Sequence, residues 1–363
     1  MKTAVVILNW NGKHMLEQFL PSVTAYTTGD AEVIIADNGS TDDSIAFLHD
    51  HYPTLRIIQL DKNYGFADGY NRALAQVEAD YYVLLNDDVE VTPNWITPVI
   101  EQMERNPLTA ICQPKLLMYD QRDTFEYAGG AGGFLDKYGY PFCRGRLFTT
   151  LEKDHGQYDE PREIFWASGA AMFVRADVWK KLGGLDGEFF AHMEEIDFCW
   201  RAKNAGYRVE YCPLSTVYHV GGGTLPKSNP RKTYLNFRNN IAMLYKNLPQ
   251  RRLAWVLVCR MVLDYVAAFK FLLESNPKEF QAVARAHRAF FRWRRTLKTR
   301  RNRDAKPVSC TLNSLLLIHY YLLKKKHFSQ YNNVFDKPSA EGKSRSACTM
   351  PRRENVCCKK TNL

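Results

Sequence analysis

Tyr81-Tyr82-Val83-Leu84-Leu85-Asn86-Asp87-Asp88 runs apolar for five residues and then stops on an amide and two carboxylates. A short apolar run bounded by polar residues predicts a strand buried on both faces, surfacing at its carboxyl end on acids. Ala4 to Leu8, Glu32 to Ala36 and Arg56 to Leu60 have the same character. Between these runs Met15 to Tyr26, Asp43 to His51 and Ala67 to Glu78 repeat apolar residues at helical spacing. The first hundred residues therefore read as consecutive βα units, which predicts an α/β fold with a mostly parallel sheet flanked by helices. Ligands in such a fold bind outside the carboxyl ends of the strands. Asn9 to Gly12, Asp37 to Ser40, Asn63 to Gly65 and Asn86 to Asp88 all fall at that rim.

Further on, Leu116 to Pro161 is rich in Gly, Tyr and Phe without a period, and predicts a loop or hairpin region over the site, where substrates enter. Regular structure is expected again at Gly169 to Val174, in helices Ala176 to Leu182 and Glu194 to Ala205, and in strands Arg208 to Tyr211 and Thr216 to His219. A helix from Arg231 to Asn247 closes a first domain at 1–250. A basic, amphipathic helical region is expected at 251–335 and a disordered tail at 336–363.

The net charge of +10 hides two opposite halves. Residues 1–250 carry about 24 Lys and Arg against about 32 Asp and Glu, and residues 251–363 about 25 against about 7. An acidic body suits a cation, and a basic tail suits an anionic membrane surface. Nucleic acid is the poorer partner, because the acidic front opposes it and Leu253 to Leu273 is apolar. That apolar stretch carries Arg260, Asp264 and Lys270. A charge at a bilayer centre costs about 2.5–3.5 kcal/mol, which favours a helix lying in the membrane surface over one that spans it. Lys278 to Arg303 interleaves Phe280, Phe290, Phe291 and Trp293 with arginines in the manner of an interfacial anchor; packing of both helices on the body or on a partner protein is the alternative. Thr3 to Leu8 is too short for a signal peptide's apolar region, and the nine cysteines show no CxxC spacing. Both point to reduced thiols and a cytoplasmic protein, peripheral on the inner face of the plasma membrane.

The acids suggest chemistry. Asn86-Asp87-Asp88 offers hard oxygen ligands of the kind that hold Mg²⁺ or Mn²⁺ against a diphosphate, although adjacent acids after a strand are also ordinary turn residues. His219, at the end of a late strand, could add an imidazole ligand or be purely structural. Glu194, Glu195 and Asp197 open a helix, where acids favour the dipole; a carboxylate kept ionised there is also a plausible general base, Glu195 ahead of Glu194. Asp197 has Arg201 one turn on, which predicts a salt bridge. The aromatics of Phe189-Phe190-Ala191-His192-Met193 could wall a sugar ring. Asp37 could accept the imide N–H of a pyrimidine base and Trp10 stack on it, or the pair could be a turn acid and a half-buried aromatic. Asn63, Gly65 and Asp68 open the third helix with close backbone approach and free N–H groups. No GxGxxG follows the first strand and no GxxxxGK[ST] occurs, which disfavours dinucleotide enzymes and P-loop kinases.

Taken in order, seven elements resemble the inverting glycosyltransferases of family 2, the GT-A type, and within them the rhamnosyltransferase-like branch. They are Val5 to Gly12, Asp37 to Asp42, Asn63 to Ala67, Leu84 to Val89, Phe165 to Ala170, Glu194 to Arg201 and Tyr218 to Thr224. The resemblance implies a GT-A fold and a UDP- or dTDP-sugar donor whose sugar passes, with inversion, to a hydroxyl of a lipid-linked saccharide in cell-surface polysaccharide biosynthesis. It implies Asp37, Trp10 and Asn11 on the nucleotide with Asn63, Gly65, Asp68, Asn86 and Asp87, and Asp88 and His219 on the metal. Glu195 becomes the base, and Trp166, Gly169 and His192 lie on the acceptor side. Two positions depart from the family pattern: its DxD-type motif begins with a neutral Asn86, and its Glu-Asp pair is Glu194-Glu195. Those departures motivate a second reading, a catalytically silent membrane-associated scaffold of the same fold. A sugar nucleotidyltransferase is a third, disfavoured by the absence of an early Gly-rich basic phosphate loop.

Overall fold

The computed structural model describes residues 1–221 and 229–331. Its first half alternates as the apolar runs predict: β1 (Thr3–Asn9), α1 (Lys13–Tyr26), β2 (Ala31–Asp37), α2 (Ser44–His51), β3 (Arg56–Gln59), α3 (Gly65–Leu74) and β4 (Tyr81–Asn86). Then come β5 (Val89–Val91), α4 (Thr97–Arg105) and β6 (Thr109–Met118), followed by the short strands β7 (Gly133–Asp136), β8 (Pro141–Cys143), β9 (Arg146–Leu147), β10 (Thr150–Leu151) and β11 (Arg162–Glu163). The chain continues through β12 (Ala171–Arg175), α5 (Ala176–Leu182), α6 (Glu194–Asn204), β13 (Arg208–His219), α7 (Pro230–Asn247), α8 (Gln250–Leu273), α9 (Pro277–Arg300) and β14 (Thr311–Leu312).

The main sheet has the order β11-β13-β6-β12-β4-β1-β2-β3, with β5 paired on β13. Parallel pairing, as expected, joins β3, β2, β1 and β4, and also β6 to β13, while β12 enters antiparallel between β4 and β6. The register sets Asn9 opposite Asp37 and Leu8 opposite Asn86, so the ends of β1, β2 and β4 share one rim. Both faces are covered, which is why the strands read as unbroken apolar runs. Val6, Ile34 and Leu84 belong to one buried cluster, and their neighbours Val5, Ile35 and Val83 to the other.

Three expectations change. Arg208 to Tyr211 and Thr216 to His219 are one strand, β13, irregular in register between Cys212 and Thr216. The third helix stops at Leu74 rather than Glu78. The Gly- and aromatic-rich region holds a second sheet, β10-β9-β8-β7-β14, whose last strand comes from far down the chain.

The segment after Pro249 packs one face of each helix on the body. Arg260 Nε meets Asp264 Oδ1 at 2.6 Å, Asp264 Oδ2 meets His287 Nε2 at 3.1 Å, and the Arg260 guanidinium lies 3.9 Å from the Tyr140 ring centre. Phe290 is buried, and Trp293 packs on Phe189 with its ring centre 5.5 Å away. Phe290 and Trp293 thus serve the body, while Phe280 packs on Phe269 of α8 and Phe291 is exposed. Among the described residues no helix is long and apolar enough to cross a membrane. The tail expected at 336–363 lies outside the described residues.

Candidate active site

The rim of β1, β2 and β4 is knitted by short polar side chains. Asn9 Nδ2 donates to Asp37 Oδ1 at 3.1 Å and to Ser40 Oγ at 3.1 Å, while Asp37 Oδ2 accepts from Ser40 N at 3.0 Å. Asp37 is buried and held by turn chemistry, with one lone pair on each oxygen still to use. Asn11, left-handed at φ 52, accepts from Thr41 N at 2.7 Å. Trp10 between them is 45% exposed, a ring open to stacking. Asn38 Nδ2 reaches Asn63 Oδ1 at 3.2 Å and Gly65 O at 3.0 Å, which ties the opening of α3 to the end of β2. Gly65 has φ +76, and a Cβ there would stand 2.7 Å from Phe190 O, so this approach requires glycine. Asp68, by contrast, is engaged with Arg72 Nε at 2.8 Å on the helix surface.

Asp87 and Asp88 sit differently although adjacent. Burial and then the Asp88 charge push the Asp87 carboxyl up to about 7. Its Oδ2 and the unpartnered Asn9 Oδ1 both crowd the space beside Gly12, where a Cβ would meet them at 2.4 and 2.6 Å. Asp88 Oδ1 lies 3.0 Å from His219 Nε2, and its Oδ2 accepts from Gly221 N at 3.2 Å. Burial opposes ionisation of Asp88, yet His219 and the Gly221 N–H outweigh it and hold the carboxyl below the usual range. Burial likewise pulls His219 down, but the Asp88 and Glu126 carboxylates prevail and hold the imidazole up at about 10.

Glu126 joins this cluster although nothing in the sequence singled it out. Its Oε1 is 3.4 Å from His219 Nδ1, and its Oε2 accepts from Ala128 N at 2.6 Å. A carboxylate on the far nitrogen of a histidine fixes the ring and leaves the near nitrogen for a ligand. The aperiodic stretch around Glu126 offers no signal that sets this glutamate apart in the sequence.

Glu194 and Glu195 open α6 with one oxygen each, Oε2, enclosed and without a partner. Burial raises Glu194 well above the usual range, helped by Glu195 and Asp197; burial pushes half-buried Glu195 up to about 7 against opposing backbone N–H groups. Asp197 is structural, as its spacing from Arg201 predicted: it takes Arg201 Nε at 2.8 Å, Lys246 Nζ at 2.7 Å and Asn247 Nδ2 at 2.7 Å.

The loop leading into α6 is strained. Phe190, His192 and Met193 all have left-handed φ, at 68°, 70° and 73°, conformations that cost a non-glycine residue on the order of 1 kcal/mol or more each. Two neighbouring side chains of α7 hold this loop, Arg238 through Phe189 O at 3.1 Å and Asn239 through three carbonyls. The buried Asn239 amide nitrogen reaches Phe189 O at 3.0 Å, Ala191 O at 2.9 Å and His192 O at 2.8 Å. Asn239→Ala is expected to remove these contacts together and lower unfolding stability by about 3 kcal/mol, read as the urea midpoint. A midpoint equal to that of the wild type would mean the loop holds its turns unaided.

The remaining acceptor-side residues fare unequally. Trp166 is only 3% exposed and donates its indole N–H to Phe134 O at 3.0 Å, so its ring packs the core and offers no face to a ligand. Gly169 permits close approach of the Phe66 ring, 2.9 Å from where a Cβ would lie. His192 is half-buried with Nε2 enclosed and unpartnered, and burial, then Lys232, pull it down to about 4. Phe189 is buried under Trp293 and does not wall a ligand space. Among the described residues no direct contact joins Glu195 to the Asp88–His219 pair.

The family model for Glycosyl transferase family 2 matches residues 4–178, which spans the whole β1, β2 and β4 rim with Asn86 to Asp88. Over those residues the chain is similar to that family. It is 27% identical over 234 residues to the N-acetylglucosaminyl-diphospho-decaprenol L-rhamnosyltransferase of Mycobacterium tuberculosis, covering 59% of this chain and 75% of the relative. Among solved structures, S. aureus TarS 1-349 in complex with UDP-GlcNAc aligns with TM-score 0.52 at 15% identity, over 83% of this chain and 84% of TarS. GalNAc-T7 with UDP, GalNAc and Mn2+ aligns with TM-score 0.54 at 16% identity, over 68% of this chain and 48% of that one. These structures establish the GT-A fold. Glu195 and His219 lie beyond the segment the family model matches, so their place in a family 2 site is argued from side-chain geometry alone.

Proposed function

We propose that the protein transfers a sugar, with inversion, from a UDP- or dTDP-linked donor to a hydroxyl of a lipid-linked saccharide, as a step in cell-surface polysaccharide assembly. The observation that carries this reading is the buried Asp88–His219 contact beside the strand rim, with Glu194 and Glu195 on α6 each keeping one enclosed oxygen without a partner. The mycobacterial relative's name supplies the lipid-linked acceptor and rhamnosyl transfer, and TarS a UDP-linked sugar.

The residues fit a divalent cation. Among the described residues no three His, Cys, Asp or Glu side chains gather as a complete cage. Asp88 and His219 face each other, with Glu126 behind the imidazole, and a site with one carboxylate and one imidazole leaves positions for phosphate oxygens and water, as Mg²⁺ or Mn²⁺ sites on nucleotides do. The bound cation would neutralise the departing diphosphate. Mn²⁺ accompanies UDP in the GalNAc-T7 structure. His219, protonated toward Asp88 as described, must release that proton to become a ligand.

The chain's own groups supply the rest. Trp10 and Asp37 hold the base, Asn63 and the α3 opening shape the floor, and Glu195 takes the acceptor proton as the hydroxyl oxygen attacks opposite the leaving group. The six described cysteines are free thiols, which suits the inner face of the membrane. A panel of UDP- and dTDP-sugars scored for slow hydrolysis with Mg²⁺ and Mn²⁺ tests the reading without an acceptor. One donor hydrolysed only with metal is the expected result; no metal-dependent binding or turnover of any donor would favour the silent scaffold.

A further inference from the structure

Helix α8 has two opposite faces. Val256, Arg260, Asp264 and Ala268, four residues apart, are buried against the body. Trp255, Val258, Val262, Val266, Phe269 and Leu273, at steps of three and four, are exposed, Leu273 to 87% and Trp255 to 66%. These six form one continuous apolar stripe of more than four turns. Between Arg251 and Lys270 no exposed residue of α8 carries a charge. Scattered exposed apolar residues are ordinary, but a stripe of this length on a water-soluble surface marks something that covers it.

Helix α9 says what covers it. A turn of three residues joins it to α8, and the two lie side by side, with Phe269 on Phe280 at 5.8 Å and Tyr265 on His287 at 5.0 Å between ring centres. Lys278, Arg285, Arg288, Arg292, Arg295 and Lys298 are exposed along α9 and make no ion pair among the described residues. From 251 to 300 the only exposed acid is Glu274, which meets Lys270 at 3.5 Å. An apolar stripe beside a basic row is the chemistry of a helix seated in an anionic lipid leaflet. A second copy of the chain fits worse, because the same contact would bring two basic rows together with no acids between them.

We infer that α8 and α9 dock the protein on an anionic bilayer, the α8 stripe entering the acyl boundary and the α9 basic row lying among the headgroups. The stripe's chemistry stands by itself; its purpose, bringing the site to a lipid-linked acceptor, rests on the proposed function. The buried Arg260–Asp264–His287 cluster holds α8 with this face outward.

The test is co-flotation of the full chain with vesicles of phosphatidylcholine alone or with one quarter phosphatidylglycerol. Wild type should bind the anionic vesicles at least tenfold more strongly and release them in high salt. Val258→Asp with Val266→Asp, both at exposed positions, should lose at least tenfold of that binding, and Arg288→Glu with Arg292→Glu should lose the preference for anionic lipid. Metal-dependent UDP binding is measured on the same preparations and should be unchanged in both variants. Absence of vesicle binding with UDP binding intact overturns the docking surface and leaves the enzyme reading standing. Vesicle binding without UDP binding does the reverse. A wild-type dimer in solution that Val258→Asp with Val266→Asp splits, with no binding to vesicles, assigns the stripe to a second copy and also overturns the proposal.

Discussion

Glu195→Gln is expected to bind donor and metal as the wild type does and to transfer sugar at a rate lower by about 10³, within the usual range for loss of a general base. Glutamine keeps the shape of the side chain but cannot take a proton. The carboxylate suits proton abstraction, because its Oε2 has no partner and burial pushes the group up to about 7, where a base is half available at neutral pH. Transfer at saturating donor should therefore fall tenfold per pH unit below about 7 and level off above it. The same shift fixes a stability control. A carboxyl raised in the fold favours folding while protonated, and that contribution is lost as pH rises from the ordinary carboxyl range through about 7. Glu195→Gln, neutral at every pH, should then be at least as stable as wild type at pH 8. Glu194 is more deeply enclosed and pushed higher, so Glu194→Gln should keep the larger share of transfer. Full turnover by purified Glu195→Gln would remove that residue from the role, and collapse of Glu194→Gln alone would move the role to its neighbour.

Much of this site was legible because parallel strands buried on both faces announce themselves. The runs ending at Leu8, Ala36 and Leu85 could only be interior strands, and the polar residues behind them had to surface at one rim. Asn86 to Asp88 and Asp37 followed from that alone. The parts that stayed dark lack a period. Glu126 reaches His219 from a stretch that turns on glycines, and β7 to β10 are two to four residues long, too short for alternation to show. The resemblance puts Trp166 on the acceptor side, yet its ring is buried beside Gly133, whose missing side chain makes room for the indole. Phe290 and Trp293 turn inward for a related reason: interleaving with arginine describes a helix with one buried and one basic face equally well, and only the partner α7 decides which face turns inward. Burial of the Arg260–Asp264 pair was similarly hidden, since spacing of four predicts the pair but not the His287 that completes it.

Asp88→Ala should abolish metal-dependent binding of the nucleotide, weakening UDP affinity in Mn²⁺ by more than about 100-fold, with affinity in chelator unchanged. Asp88 rather than Asp87 carries this expectation because of how each is held. Asp88 stays ionised against His219, whereas Asp87 is raised by burial and by Asp88 itself to about 7 and is only partly ionised near neutrality. Asn86 is neutral and turns its amide nitrogen toward His219 Nε2 at 3.4 Å, so it is no substitute. The experiment has an internal gradient. Glu126→Gln leaves Asp88 and His219 in place but removes the carboxylate on His219 Nδ1, and its effect on Mn²⁺ affinity should fall between wild type and Asp88→Ala, at about 10-fold to 100-fold. His219→Ala should lie near Asp88→Ala. Calorimetric titration of UDP with and without Mn²⁺ reads all three. The proton relation gives a second check, since metal binding must displace the proton that His219 holds up to about 10, and affinity for Mn²⁺ should rise with pH across the neutral range. Equal metal-dependent UDP affinity in wild type and Asp88→Ala would mean that the diphosphate is held elsewhere, and the Asp88–His219 contact would then be a buried ion pair serving only the fold.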